Sequence, residues 1–371
     1  MKALIFACFV AVTAVASAAG GCGSSSATPG AGSSGDGTSG GTGTDGGGIP
    51  AGDGGAGGIG LDGGDAPLGS FNVTFGPLDA PAGEEHTKCV VKRLGNPSAI
   101  HVGSVHNVLT LGSHHMIVYR VNDTVEQTTP FDCKPFTDTL DPTKGSALMI
   151  SQKQDDALVL PDGVAYTLDA NQMVRLEMHY INAGAAVKSI KGTSTFIPIE
   201  EAKFKYEADF LFVGTPDISI PAKSSASVGP VFIALPSAYA NVNFFAITGH
   251  EHQWGTNVVV STATSKTDPG TPVYNVPNWL WSEPATVKAD PPFKLPANGG
   301  FNLTCTWNNM SDTAVKFGES VNDEMCFFWA YYYPSQGGAK VCIHTDKYGT
   351  PVNACCPDSS QPVCSAIASQ F

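Results

Sequence analysis

From Ser70 onward the chain is a series of short apolar stretches of strand length, separated by Pro- and Gly-rich turns. That rhythm leaves little room for a helical fold. Met173–Asn182 shows it well: Val174, Leu176, Met178 and Tyr180 fall on one face, and Arg175, Glu177 and His179 on the other. A period of two is the signature of a strand. Met116–Val121, Phe204–Val213, Val228–Leu235, Phe301–Trp307 and Cys326–Tyr333 continue the series, with turns such as Leu160-Pro161-Asp162-Gly163 between them. No amphipathic helical stretch of useful length appears. Many short strands with regular turn signals predict an all-β chain of two tandem sandwiches or jelly rolls. Ile197-Pro198-Ile199-Glu200-Glu201 reads as the break, giving an N-terminal domain over 70–200 and a C-terminal domain over 201–371 with a Cys-rich tail. Each is long enough for its own core.

The N-terminus is of a different kind. Residues 1–21 read as a signal peptide, with Lys2 as the positive start and Ala3–Ala16 as an apolar run too short to span a bilayer. Ala19-Gly20-Gly21-Cys22 resembles a bacterial lipobox, with Ala19 where leucine is usual. If Cys22 is lipidated, Cys89, Cys133, Cys305, Cys326, Cys342, Cys355, Cys356 and Cys364 remain, an even set that can pair fully. Cleavage after Ala18 would instead leave Cys22 as an odd thiol. Residues 22–69 are a Gly- and Ser-rich linker with too few large apolar side chains to offset the entropy of ordering. The expectation is an exported chain, tethered to an outer membrane or cell surface or else periplasmic or secreted, where disulfides are permitted. A net charge of −13 argues against nucleic acid as a partner.

The chemistry sits in histidines. Asn241–Val260, rich in β-branched and aromatic residues, reads as one strand carrying His250 and His252 on one face and Glu251 on the other. Two imidazoles side by side are half of a metal site, or two surface histidines on an edge strand. His114 and His115 are adjacent, so both reach one metal only where a bulge or a strand start disturbs the pleat. His179 lies in an otherwise apolar strand and by itself reads as a satisfied core histidine; Glu177 on its face is an orienting carboxylate, an ion-pair partner or a pocket residue. Met325, at the start of the last long strand, is core filling unless it stands beside His250 and His252. A thioether with two imidazoles favours a copper that passes through Cu(I).

His114-His115-Met116, His179 within Leu-Glu-Met-His-Tyr, His250-Glu251-His252 and Asp323-Glu324-Met325-Cys326 occur in the order seen in the copper type II, ascorbate-dependent monooxygenases. The resemblance, to the peptidylglycine α-hydroxylating and dopamine β-monooxygenases, covers roughly Cys89 to Tyr333. It implies two jelly rolls facing each other across a solvent cleft. It further implies two coppers per chain: an electron-transfer copper on His114, His115 and His179, and an oxygen-activating copper on His250, His252 and Met325. The partners implied are O2, ascorbate or another reductant, and a substrate whose C–H is hydroxylated. Cys305 and Cys326 resemble the family disulfide beside the methionine. In peptide-amidating members an arginine two residues before the histidine pair helps hold the substrate carboxylate; here that position is Thr248. An asparagine and a tyrosine after the methionine are here Phe327 and Trp329. The resemblance with these departures points away from peptide amidation, toward a small or apolar substrate lined by Thr248, Phe327, Trp329 and Glu177. The competing readings are a non-catalytic copper-binding surface lipoprotein, and a zinc hydrolase on His250 and His252, which gives Met325 no purpose.

Overall fold

A computed structural model describes residues 69–134, 145–347 and 349–356. The leader, most of the linker, Cys22 and Cys364 lie outside them. Strand dominates, and no α-helix occurs among the described residues, only the 3-10 turns Glu201–Lys203 and Ser237–Asn241.

Residues 71–207 form two sheets. In the first, Phe71–Ala80, Lys188–Ile199, Ile100–Leu109, Val164–Leu168 and Tyr206–Glu207 follow one another, with Asp155–Val159 also pairing Ile100–Leu109. Lys188–Ile199 shows why it is a strand: Ile190, Gly192, Ser194 and Phe196 point inward and their neighbours are more exposed. The second sheet runs Gln127–Asp132, Glu85–Arg93, Met173–Ile181, Ser113–Val121, Gly145–Ser151. Cys89–Cys133 closes its outer side. Gly145–Ser151 is an edge strand, yet every residue in it is buried, because residues from beyond 207 cover it. There Ile150 N donates to Tyr331 Oη at 3.2 Å, and Ala339 N donates to Ser146 Oγ at 3.3 Å.

Residues 209–356 also form two main sheets. One has the order Val287–Phe293, Asn243–His250, Phe327–Tyr333, Asp209–Gly214, Lys340–Thr345, Val352–Cys356; the other Ser224–Ala234, Gly300–Asn309, Gly255–Ala263, Thr271–Asn275. Cys305–Cys326 joins them across the sandwich. Cys342–Cys355 staples the last two strands, and Cys356 is disulfide-bonded as well. The Cys-rich tail therefore begins as an integral part of this sheet, with Lys340–Thr345 running parallel to Asp209–Gly214.

Two sequence-based expectations change. Phe204–Val213 is not one strand: Tyr206–Glu207 pairs with Val164–Leu168, and Asp209–Gly214 pairs with Phe327–Tyr333, so the chain changes sheets at Ala208. Asn241–Val260 is not one strand either. It ends at His250, turns with Gly255 N donating to His252 O at 2.9 Å, and returns as Gly255–Ala263 in the opposite sheet. Glycine is required at that corner. A Cβ on Gly255 would sit 2.5 Å from the Glu251 carboxylate, and one on Gly249 would sit 2.7 Å from Val258 and Tyr274.

The strand Phe327–Tyr333 faces two cores. Phe328, Ala330 and Tyr332 belong to the core of the second pair of sheets. Phe327, Trp329 and Tyr331, with Met325, pack in one continuous cluster with Ile117, Leu148, Tyr166 and Phe196 of residues 71–207. Where the resemblance implies a solvent cleft, the structure therefore has buried apolar contact between these faces.

Candidate metal centres

His114, His115 and His179 come together because two neighbouring strands place them so. His115 is the register partner of His179, and the pairing shifts between Ser113 and His115, which leaves His114 as an extra residue at a bulge. That irregularity lets consecutive histidines turn to one point. The ring centroids are 5.3 Å (114–115), 5.2 Å (114–179) and 5.0 Å (115–179) apart. One ring nitrogen from each lies within 4.8 Å of the others. His114 Nε2 is buried with no hydrogen-bond partner. A buried imidazole nitrogen aimed at two others is costly unless something binds it.

His250 and His252 form the second set. Their rings are nearly perpendicular, with centroids 5.2 Å apart. His250 ends its strand opposite Phe327. Met325 lies two residues before Phe327 and is 1% exposed. The Glu324 carboxylate holds this corner: it accepts from His252 N (2.8 Å), Trp254 N (2.7 Å) and Trp307 Nε1 (2.9 Å). The segment that delivers Met325 is thereby fastened to the turn that carries His252.

Each set has an outer shell that sequence inspection missed. His250 Nδ1 is 3.0 Å from Gln152 Oε1, and His252 Nδ1 is 3.2 Å from the Asp323 carbonyl. Both partners are acceptors, so both Nδ1 atoms carry the hydrogen and both Nε2 atoms present lone pairs. The carboxylate at His179 is Glu85, 3.1 Å from Nε2, rather than Glu177. Glu177 instead accepts from Tyr119 Oη at 3.2 Å within the buried first half. The hydrogen bond between Glu85 and His179 holds the Glu85 carboxyl below the usual range. Gln152 and Glu85 carry no local signal, since each is distant in sequence from the histidine it serves.

Burial sets the charge state. It lowers His114, His115 and His250 well below the ordinary imidazole range, and His252 to about 4. Neighbouring histidines push the same way, including His252 on His114 and His179 on His250. The rings are therefore neutral near pH 7, the form that ligates metal. Two neutral imidazoles with a thioether as third donor would fit Cu(I), and three convergent imidazoles fit copper or zinc. Burial also raises Glu324 to about 7 and raises Glu251 well above the usual range, the Glu324 carboxylate adding to the shift at Glu251.

The pocket residues named from sequence are all enclosed. Thr248 Oγ1 is 2.8 Å from Thr286 Oγ1. Phe327 stacks on Phe212 at 4.8 Å, and the Trp329 ring lies 5.7 Å from that of His250. Trp281, from the 276–286 loop, packs 5.3 Å from His114 and was not singled out in the sequence.

Residues 206–353 match the copper type II ascorbate-dependent monooxygenase C-terminal domain. The matched stretch contains His250, His252, Met325 and Cys305–Cys326, while the His114, His115 and His179 set lies before it. No curated protein matches the chain. Among solved structures, PNGase F, a glycosylasparaginase from Flavobacterium meningosepticum, is 9% identical, over 77% of this chain and 99% of its own, with a TM-score of 0.32. A structure of infectious bursal disease virus, Gx strain, is 10% identical over 72% of this chain and 71% of its own, with a TM-score of 0.18. Neither likeness carries an argument about this chain.

Proposed function

We propose that the protein is a copper-dependent monooxygenase that hydroxylates a substrate C–H with O2 and a one-electron reductant such as ascorbate. The carrying observation is the pair of buried histidine sets, the second of them neutral and inside the segment that matches the monooxygenase domain. In this reading His114, His115 and His179 hold an electron-transfer copper, and His250, His252 and Met325 hold the copper at which oxygen reacts. Copper there would supply one-electron transfer and O2 activation.

The protein's own part is to hold and to exclude. Gln152 and the Asp323 carbonyl fix the tautomers of His250 and His252, and Glu85 fixes that of His179. Burial excludes water, which limits loss of oxidising equivalents to solvent. Trp329 and Phe327 line the second set with aromatic surface, and Thr248 brings no charge to it, which favours an apolar or small substrate. Two domains divided near the crossing at Ala208, a lipid anchor on Cys22 and an exported location complete the proposal.

The deciding experiment loads the mature chain with copper, counts metal, and follows O2 uptake with ascorbate across a panel of small apolar and aromatic substrates. The expected result is two coppers per chain, one lost in His114→Ala/His115→Ala and the other in His250→Ala/His252→Ala, with coupled O2 uptake in neither variant. Tight copper binding with no coupled uptake on any substrate would replace the enzyme with a copper-binding lipoprotein.

A further inference from the structure

One carboxylate touches the surroundings of both histidine sets. Glu85 opens the strand Glu85–Arg93, which pairs with the strand of His179. Its Oε1 lies 3.1 Å from His179 Nε2 and accepts from Val321 N at 3.0 Å, and its Oε2 accepts from Ser320 Oγ at 3.4 Å. The 320–325 segment is also the support of the second set. Asp323 N donates to Ser320 O at 2.9 Å, the Asp323 carbonyl takes His252 Nδ1, Glu324 takes His252 N, and Met325 follows. A continuous path of short contacts therefore runs from His179 through Glu85 and one tight turn to His252.

We propose that Glu85 is a shared positioning residue that makes metal binding at one histidine set favour metal binding at the other. This rests on the two-copper reading above. An ionised carboxylate only accepts, so His179 carries its hydrogen on Nε2 and leaves Nδ1 as its lone-pair nitrogen for a metal shared with His114 and His115. Metal on Nδ1 makes the Nε2–H more acidic and its bond to Glu85 stronger. That tightens the hold on a partly exposed glutamate, 26% accessible, whose rotamer is otherwise kept only by its hydrogen bonds. A fixed Glu85 holds Val321 N and Ser320 Oγ, so the turn that positions His252 and Met325 is ordered before the second metal arrives. By linkage, the second metal helps the first by the same factor. Coupling of this sort needs no displacement of backbone, only ordering of what both sites share.

The probe is Cu(I), delivered from a chromophoric chelator to the full chain. Affinity at His250/His252/Met325 is measured with the first set intact and in His114→Ala/His115→Ala. An intact first set is expected to raise the second affinity by about fivefold or more. Glu85→Gln keeps the size of the side chain and removes its charge; the ratio should fall below about twofold while both sets still bind. A purely structural role would weaken both affinities and leave the ratio unchanged. Independently of any change at Glu85, loading the first set alone in His250→Ala/His252→Ala should slow amide hydrogen exchange at Val321. That measurement decides the matter if Glu85→Gln does not fold. Equal second-site affinities with and without the first set, or Val321 exchange indifferent to first-set copper, overturns the coupling and leaves two copper sites standing. A wild-type chain that binds Cu(I) at neither set overturns the two-copper reading and this inference together.

Discussion

Met325 is where the proposed chemistry depends on one atom type. A thioether keeps Cu(I) in preference to harder ions. Met325→Ile keeps the apolar volume and removes the sulfur; it is expected to lower Cu(I) affinity at the second set by at least about tenfold and to abolish coupled O2 uptake, with little change in thermal stability. Unaltered uptake would remove Met325 from the site. Gln152 is a quieter case. Its amide oxygen fixes the His250 tautomer from the other half of the molecule. Gln152→Leu should weaken second-set metal binding by about ten- to a hundredfold, read by the same chelator competition. The candidate ligands stood out because histidine and methionine are distinctive residue types in distinctive order. Gln152 and Glu85 were not, since a glutamine in a Ser-Gln-Lys turn and a glutamate at a strand start look like ordinary surface residues until the chain is folded.

At the scale of elements, alternation made most strands readable, and it misled where His-Glu-His imitates it. His250, Glu251 and His252 alternate on paper, but the strand has already ended. The signal for the turn was the flanking pair Gly249 and Gly255, each too closely packed for a Cβ. The corner is held by Glu324, which satisfies two backbone amides and an indole in the interior. Glu324→Leu would leave those donors buried and unbonded, and should cost roughly 3 kcal/mol or more of stability by denaturant unfolding. Little change would mean that the donors find other acceptors. The disulfide Cys305–Cys326 spans 21 residues of sequence and ties the strand Gly300–Asn309 to the start of Phe327–Tyr333. Its removal in the double alanine variant should cost about 3 kcal/mol from loop-closure entropy. It should also reduce metal affinity at the second set more than at the first.

For the molecule as a whole, the sheets were foreseeable and their closeness was not, because apolar alternation says which face is buried and not what buries it. The crossing at Ala208 is marked by Asp209, a carboxylate that is 2% exposed and hydrogen-bonded by Ser335 Oγ and Gly338 N. Burial raises its pKa. The native state therefore binds this proton more tightly than the unfolded chain does, so Asp209 costs stability increasingly as pH rises from its ordinary value of 3.8 through its folded pKa. Asp209→Asn keeps an oxygen for both donors and removes that dependence. The stability of the variant relative to the parent should rise with pH across that window and then level off; a pH-independent difference would show that the carboxylate is not strained by burial. The strand Phe327–Tyr333 carries a consequence for how such a protein can be made and inherited. It is a party wall, with Phe327, Trp329 and Tyr331 facing one room and Phe328, Ala330 and Tyr332 the other. A gene cut near Ala208 would yield a C-terminal product with Phe210, Phe212 and this aromatic row open to water, a surface that aggregates unless its other tenant is synthesised alongside it.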